Sequence, residues 1–204
     1  LQGTPPLKRS LCIDIGGGST EVAFAYGEHP RELWSITLGS VRLTELFGIT
    51  GKVEKKRLKL IRKFVREAVE EALPQKLARS PGTALGSSGT IGAVVAFARK
   101  EGGGHATTRE VARAVEKLAG MDAEKRRKRF DPRRADIVVA GAVILEVILK
   151  HLKLESITAV DRGLRDGILR DLVARRKVDP AADSLHEAAL VVGERFGFSK
   201  AHGE

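Results

Sequence analysis

Short apolar runs that end at glycines alternate with amphipathic stretches along this chain. The run Leu11–Ile15 stops at three successive glycines, which is typical of a buried strand that enters a tight turn. Two further strands are predicted at Glu21–Tyr26 and Glu32–Leu38, joined by a turn through Gly27 and Pro30. Three strands in direct succession predict an antiparallel meander.

The middle of the chain changes to helical spacing. Apolar residues recur at steps of three and four from Leu58 to Ala72, and Pro74 should end this helix. A short strand is predicted at Thr83–Leu85 and a buried helix at Ile91–Ala98. This part of the chain therefore follows the order helix, strand, helix.

The last part of the chain repeats that alternation. A basic helix-and-loop region from Val111 to Arg129 leads to Asp131-Pro132, an N-cap and first-turn pair that opens an apolar helix from about Ala135 to His151. A short strand and a final helix are predicted at Ile157–Val160 and Gly163–Arg176. Strands that alternate with helices predict an α/β fold whose mixed sheet contains the meander and then αβα units.

Composition excludes several classes of protein. Of the 204 residues, 42% are hydrophobic and 30% are charged, which is a globular balance. The longest apolar runs, Ile91–Ala98 and Ile137–Leu145, are too short to span a bilayer. The single cysteine, Cys12, excludes an internal disulfide framework and a cysteine-based zinc finger. We therefore expect a soluble, cytoplasmic protein with no membrane partner.

The formal charge of +10 favours polyanionic partners in general: nucleic acid, anionic lipid or polyphosphate. Only 4% of residues are aromatic, which disfavours a protein that reads single strands by stacking. The basic residues gather in three places, around Lys55–Arg66, at Lys125–Arg129 with Arg133 and Arg134, and at Arg175–Lys177. They are interpreted either as a track that leads a long polyphosphate to a site or as solvated helix faces.

The strongest chemical signal follows the first predicted strand. Three successive glycines let the backbone approach an anion and point its amides toward it, and two hydroxyl residues add donors. An acidic residue at the end of the strand can hold a divalent cation through water. A tight hairpin is the plainer interpretation, but it seldom needs three glycines. The predicted residues are Gly16, Gly17, Gly18, Ser19 and Thr20 for phosphate, with Asp14 for a cation.

A second loop of the same kind lies between the strand Thr83–Leu85 and the following helix. Its amides and the helix dipole favour an anion, although an ordinary helix N-cap would use the same residues. The pairing with the first loop gives it weight. The predicted phosphate-binding residues here are Gly86, Ser87, Ser88, Gly89 and Thr90.

Five strings in the same order resemble the exopolyphosphatase and guanosine pentaphosphate phosphatase family. They are DIGGGSTE at Asp14–Glu21, LGSVRLTE at Leu38–Glu45, GSSGTI at Gly86–Ile91, RADIVVAGAVIL at Arg134–Leu145 and DRGLRDGIL at Asp161–Leu169. The resemblance implies a ribonuclease H-like (actin-like ATPase) fold of two α/β lobes with the active site between them. This chain is similar to the second lobe.

The resemblance also implies roles for particular residues. The two glycine-rich strings bind phosphate, and the acids Asp14 and Glu21 lie near a Mg²⁺ or Mn²⁺ ion. Arg42 matches a recurrent basic position, and with the Lys125, Arg126, Arg127, Lys128 and Arg129 run it is a candidate polyphosphate contact. Family members release the terminal phosphate of inorganic polyphosphate, or the 5′-γ-phosphate of guanosine pentaphosphate, with a glutamate activating water.

The sequence departs from the family pattern at both ends. The first lobe and its catalytic glutamate are expected upstream of Leu1, so no catalytic residue is predicted in this chain. Glu70-Glu71 resembles the glutamate string by letters only and lies inside a predicted helix. The predicted organisation is a tail over 1–10, a phosphate-binding lobe over 11–178, and over 179–204 a linker with the first helix of a truncated, helical HD-like domain.

These observations favour one function and leave others open. The favoured one is the phosphate-binding lobe of a Mg²⁺-dependent exopolyphosphatase, inactive as an isolated chain and completed by a first lobe and a helical C-terminal domain. The alternatives are a guanosine pentaphosphate 5′-phosphohydrolase, a non-catalytic module that binds polyphosphate or nucleic acid, and another actin-like protein such as a kinase or chaperone ATPase. Homodimerisation of the full-length protein is a further expectation.

Overall fold

The structure of this chain is a computed structural model that describes residues 9–26, 29–74, 83–99 and 104–161. The predicted helix over 163–176, the predicted segment over 179–204 and nearly all of the predicted tail over 1–10 lie outside the described residues. Within them, no helix is long and apolar enough to cross a membrane.

The first three strands form the predicted antiparallel meander. Strand β1 (Ser10–Ile15) pairs with β2 (Thr20–Tyr26), and β2 pairs with β3 (His29–Ile36), each in antiparallel register. Burial alternates along β1, where Leu11 and Ile13 are buried, as expected for a strand with one face on the core. The meander prediction is confirmed.

The later strands make the sheet mixed. Strand β4 (Thr83–Gly86) lies parallel to β1, and β6 (Ser156–Ala159) lies parallel to β4. A three-residue strand, β5 (His105–Thr107), pairs antiparallel with β6 and was not predicted. The order across the sheet is β3-β2-β1-β4-β6-β5.

The described residues contain six helices, among them those predicted before residue 152. The helices are α1 (Ser40–Leu46), α2 (Lys55–Ala72), α3 (Gly89–Ala98), α4 (Thr108–Ala119), α5 (Ala123–Arg127) and α6 (Pro132–His151). Asp131 caps α6 as predicted, because its carboxylate accepts a 3.0 Å hydrogen bond from the amide of Arg133. Helix α1 was not predicted, and the basic region after Val111 resolves into α4 and α5.

Helix α6 is the centre of the core. Every residue from 138 to 149 is buried, which is the pattern of a helix that is enclosed on all sides. Helices α1, α2, α3, α4 and α5 all pack against α6, and α3 and α6 both contact β1. This arrangement fixes the start of α3, the start of α1 and the carboxyl end of β1 around one helix.

Candidate functional site

Two loops lie side by side at one edge of the sheet. The first loop, Gly16–Ser19, follows β1, and the second loop, Ser87–Ser88, follows β4 and enters α3. Because β1 and β4 are parallel neighbours, both loops lie at the carboxyl ends of strands, where ligands bind in open α/β sheets. The amide of Ser87 donates a 3.0 Å hydrogen bond to the carbonyl of Ile13 and extends this pairing to the loops.

Helix α1 holds the first loop through the amides of its first turn, which have no acceptor within the helix. The amide of Ser40 donates 2.9 Å to the carbonyl of Gly16, and the amides of Val41 and Arg42 each donate 3.0 Å to the carbonyl of Gly17. The hydroxyl of Ser40 adds a 3.1 Å bond to Gly16. The first amides of a helix have no partner within it, so the loop carbonyls satisfy them. The carbonyl oxygens of Gly16 and Gly17 are thereby turned toward α1.

This packing leaves the other side of the first loop open. A Cβ on Gly39 would lie 2.4 Å from the backbone of Gly17, so only glycine permits this contact, whereas a Cβ on Gly18 would meet nothing within 4 Å. Among the described residues, the amides of Gly17, Gly18 and Ser19 have no backbone acceptor. Exposed amides with their carbonyls held behind them form a cradle for an anion.

The second loop presents a similar set of donors. The amides of Ser88, Gly89 and Thr90 have no backbone acceptor in the part of the chain that the structure describes. The side chain of Ser88 caps α3 by accepting a 3.1 Å hydrogen bond from Ile91. Free amides and the positive end of the helix dipole favour a bound anion at this point.

The predicted metal residues, Asp14 and Glu21, face one another across β1 and β2. They are direct partners in the antiparallel register, so their side chains share one face of the sheet. Asp14 accepts a 3.0 Å hydrogen bond from Ser87, and Glu21 accepts one from Ser19 and a 3.3 Å bond from Ser35. The structure thus brings both acids together beside both loops.

These two carboxylates fit a Mg²⁺ ion whose coordination is completed by other ligands. Mg²⁺ is commonly held by one or two carboxylates, with water and substrate phosphates completing its coordination. No cluster of three or more His, Cys, Asp or Glu side chains suited to a metal occurs within the described residues. Asp14 and Glu21 therefore suit an ion that is shared with a phosphate ligand, and do not form a closed protein cage.

Cys12 lies on the same strand face as Asp14 and is partly buried. Burial raises the pKa of its thiol, the nearby Asp14 charge raises it further, and a hydrogen bond with Ser87 opposes the rise. The thiol is therefore protonated at neutral pH. A protonated thiol is a poor metal ligand and a poor nucleophile.

One predicted hydroxyl donor serves the fold instead. The side chain of Thr20 is fully buried and donates a 2.7 Å hydrogen bond to the carbonyl of Leu38, which corrects the expectation that it faces an anion. Thr90 is also buried, and its methyl group packs against Gly141. A Cβ on Gly141 would lie 2.1 Å from this methyl group.

The basic run is mostly occupied by other contacts. Arg126 is fully buried and its guanidinium donates to the carbonyls of Thr50, Gly51 and Met121, so its predicted polyphosphate contact is wrong. The exposed members form ion pairs, Lys125 with Asp122, Arg127 with Asp136 and Lys128 with Glu124. The side chains of Arg129 and Arg42 are exposed, and Arg42 lies in the first turn of α1 behind the first loop.

Arg134, which the sequence groups with the basic run, lies at the second loop. Its guanidinium lies over the start of α3, where a Cβ on Gly89 would be 2.6 Å from Nη2. The cation therefore adds to the positive end of the helix dipole, an arrangement that is unfavourable without an anion nearby. The sequence signal for this role is that Arg134 is the first residue of the RADIVVAGAVIL string.

Comparison with known proteins agrees with this geometry. Residues 2–176 match the Ppx/GppA phosphatase family. Exopolyphosphatase 2 of Mycobacterium tuberculosis is 30% identical over 180 residues, which cover 79% of this chain and 55% of that protein. A guanosine-5′-triphosphate,3′-diphosphate pyrophosphatase of Photobacterium profundum is 24% identical over 201 residues, covering 95% of this chain and 39% of that one.

A solved Ppx/GppA phosphatase of Aquifex aeolicus superposes with a TM-score of 0.70 and 28% identity, covering 81% of this chain and 57% of that one. The mixed six-stranded sheet matches the actin-like ATPase fold of such structures, which confirms the predicted fold class. The chain spans about half the length of the curated relatives it matches. It belongs to the Ppx/GppA phosphatase family.

Proposed function

We propose that this chain supplies the phosphate-binding wall of a Mg²⁺-dependent exopolyphosphatase. One observation carries the proposal: two sets of unpaired amides, at residues 17–19 and 88–90, lie at the same sheet edge and are joined by the Asp14–Ser87 hydrogen bond. An anion with several oxygens can accept from both sets at once. The terminal phosphate of a polyphosphate has this character.

Charge around the loops supports the same assignment. Arg134 and the start of α3 concentrate positive potential beside the second loop. Such preorganised donors stabilise the charge that develops on a phosphoryl group during transfer. The described residues thereby bind and orient the terminal phosphate for attack by water.

Asp14 and Glu21 would hold the magnesium ion. A bound Mg²⁺ supplies Lewis-acid neutralisation of the phosphate oxygens. The hydroxyl of Ser87 orients the carboxylate of Asp14, and the hydroxyls of Ser19 and Ser35 do the same for Glu21. These hydrogen bonds orient both carboxylates beside the loops.

We further propose that the general base is not among the described residues. Glu70 and Glu71 lie near the end of α2, next to Leu73, whose carbonyl contacts His151 at the end of α6. Arg134 and the second loop lie at the start of α6, about 25 Å away along that helix. The pair is therefore too distant to activate water at the loops, and the isolated chain should bind substrate with little turnover.

Inorganic polyphosphate is the proposed substrate, and guanosine pentaphosphate is the alternative. The relatives include proteins named for each. The net charge of +10 favours the longer polyanion, because each phosphate adds to the electrostatic attraction.

Calorimetric titration with tripolyphosphate, with and without Mg²⁺, tests the binding wall. Gly18→Val should keep the fold, because a Cβ there meets nothing within 4 Å, and should block the approach to the first loop. Losing even one hydrogen bond to a charged group should weaken binding by about tenfold or more. Equal affinity in wild type and variant would refute the assignment.

Gly51→Val is the matched control, since a Cβ on Gly51 also meets nothing within 4 Å but lies away from the loops. Its tripolyphosphate affinity should equal that of the wild type. Competition by duplex DNA separates the remaining alternative. If duplex DNA and polyphosphate of equal total charge displace tripolyphosphate with equal efficiency, the chain is a general polyanion-binding module.

A further inference from the structure

A cavity of about 380 Å³ lies between the carboxyl end of α3 and the outer face of α4. Helix α3 has ten residues, so this cavity is about 15 Å from the second loop, which precedes the same helix. It is therefore separate from the phosphate-binding wall. Its lining residues are Phe97, Ala98, Arg99, Glu110, Arg113, Ala114 and Lys117.

The charged part of the lining is dominated by cations. Three basic side chains face one carboxylate, that of Glu110. This carboxylate belongs to the cap of α4, where the amide and hydroxyl of Thr107 each donate 2.8 Å to it. These hydrogen bonds, helped by the charges of Arg99 and Arg113, lower the pKa of Glu110. The acid is thus ionised and committed to the helix cap.

The helix ends do not account for all three cations. Arg99 at the end of α3 and Lys117 in the last turn of α4 complement the negative ends of their helix dipoles. Arg113 is in mid-helix, and it lies four residues before Lys117, a spacing at which like charges repel. Ion pairs of up to 4.0 Å within the described residues involve none of the three. An anion in the cavity would relieve this repulsion.

The remaining lining is apolar. Phe97 contributes an aromatic side chain whose ring pairs with Phe130 at a centroid distance of 5.7 Å, and Ala98 and Ala114 lie beside it. An inorganic anion would leave this surface without a partner. A ligand with a planar ring and an anionic group would use both parts, and the volume is in the lower range of small-molecule sites.

We propose that this α3–α4 pocket binds a mononucleotide. The phosphate lies on Arg113 and Lys117, and the base lies against Phe97. The pocket is a second site on the chain, independent of the loops that hold polyphosphate.

Nuclear magnetic resonance of the full 204-residue chain, titrated with AMP and GMP, tests the proposal. The amide signals of residues 113–117 should shift, and the Arg113→Ala/Lys117→Ala variant should bind at least about tenfold more weakly, because two charged hydrogen-bond donors are lost. The Lys63→Ala/Lys128→Ala variant also removes two exposed helical cations and should bind like the wild type.

The Gly18→Val variant distinguishes nucleotide binding at the α3–α4 pocket from nucleotide binding at the loops. If the nucleotide binds in the pocket, this variant should leave nucleotide affinity unchanged. The proposal is overturned if Arg113→Ala/Lys117→Ala binds AMP as the wild type does, or if the shifts occur only at residues 17–19 and 88–90. It is also overturned if inorganic phosphate, whose charge is similar to that of AMP, displaces AMP from residues 113–117 at equal concentration, since the apolar wall would then contribute nothing.

Discussion

The hydroxyl of Ser87 donates a 3.0 Å hydrogen bond to Oδ2 of Asp14. This bond crosses from the residue that follows β4 to the penultimate residue of β1, and it links the two loops through a side chain that is a candidate metal ligand. The position of the carboxylate and the spacing of the loops are therefore coupled. Disturbing either residue should affect phosphate and magnesium binding together.

Ser87→Ala removes that link without adding bulk. We expect a loss of about 1 kcal/mol in the free energy of unfolding, the usual net value of one such hydrogen bond. The Mg²⁺-dependent part of the tripolyphosphate affinity should fall, because the Asp14 carboxylate is no longer oriented. Calorimetric titrations with and without Mg²⁺ measure this difference.

Ser35→Ala is the control for Ser87→Ala, since it removes a longer, 3.3 Å bond to the exposed carboxylate of Glu21. Its effect on stability and on Mg²⁺-dependent binding should be smaller. If Ser87→Ala leaves the Mg²⁺-dependent part of the affinity unchanged, the Asp14–Ser87 bond has no part in orienting the metal site.

Gly39→Ala should disrupt the first loop. The new Cβ would lie 2.4 Å from the backbone carbonyl group of Gly17, and neither backbone can yield without breaking the bonds between α1 and the loop. We expect a destabilisation of about 1–3 kcal/mol, typical of overpacking, with loss of tripolyphosphate binding. Urea unfolding and calorimetry provide the two readouts.

Gly51→Ala is the matched control, because its Cβ would meet nothing within 4 Å. It should leave stability and binding nearly unchanged. A Gly39→Ala variant with wild-type stability and binding would show that the close packing of α1 on the loop is not required.

The sequence was informative where the signal is local. The strand that ends before Gly16, the glycine-rich loops and the Asp131-Pro132 helix start each depend on neighbouring residues, and they were predicted. Helix α1 was missed because it has only seven residues and no side-chain cap, and its first amides are satisfied by carbonyls that lie more than twenty positions earlier. Strand β5 was missed because three residues carry no usable period.

Long-range contacts account for the errors within the site. Thr20 looks like a phosphate-binding hydroxyl in the sequence, but Leu38 takes its hydrogen bond. Arg126 sits in a run of five cations that suggests a solvated surface, yet its guanidinium is enclosed by backbone carbonyls of the 50–51 turn. The approach of Arg134 to Gly89 depends on how α6 packs on α3, which no local pattern records.

Glu146→Ala should be strongly destabilising. This carboxylate is buried in the C-terminal half of α6 and pairs with Arg62 of α2 at 2.8 Å and with Lys150. Removing one member of a buried pair leaves the other poorly solvated, which costs about 3–5 kcal/mol. Arg62 retains some exposure, so the lower end of that range is expected in urea unfolding.

Glu67→Ala is the control for Glu146→Ala. It removes an exposed helical pair with Lys63 at 3.8 Å, and such pairs contribute about 0.3–0.5 kcal/mol. Similar losses in the two variants would mean that burial of Glu146 does not strengthen its ion pairs.

Changing Lys125, Arg127, Lys128 and Arg129 to glutamine tests the polyphosphate track while leaving the buried Arg126 in place. These four side chains are exposed, so stability should change by less than about 0.5 kcal/mol each. If the run guides a long chain to the loops, long-chain polyphosphate affinity falls and its salt dependence becomes shallower. Titrations at several salt concentrations measure both.

Arg126→Met should lower stability and leave polyphosphate affinity unchanged, which is the opposite of the expectation for the four-residue variant. It keeps the buried volume but removes hydrogen bonds to the carbonyls of Thr50, Gly51 and Met121, so stability should fall by about 2 kcal/mol or more. Polyphosphate affinity of the folded protein should not change. Unaltered affinity and salt slope in the four-residue variant would refute the track.

Cys12 should make stability decline at alkaline pH. Burial and the charge of Asp14 raise the pKa of its thiol above the unfolded value of about 8.5. Below that value the thiol is protonated in both states, and its full contribution to stability is present. As pH rises toward the folded pKa, the unfolded chain loses its proton first, so this contribution is lost.

Cys12→Ala removes the effect, and the comparison of the two pH profiles isolates it from every other pH-dependent contribution. The free energy of unfolding of the wild type should fall more steeply above about pH 8.5 than that of the variant, whatever constant offset the lost thiol causes. Asp14→Asn should reduce the extra slope, because it removes one of the two causes that raise the thiol pKa. Parallel profiles for wild type and Cys12→Ala would mean that the thiol is no less solvated in the folded chain than in the unfolded one, and that the face of β1 carrying Asp14 is open to water.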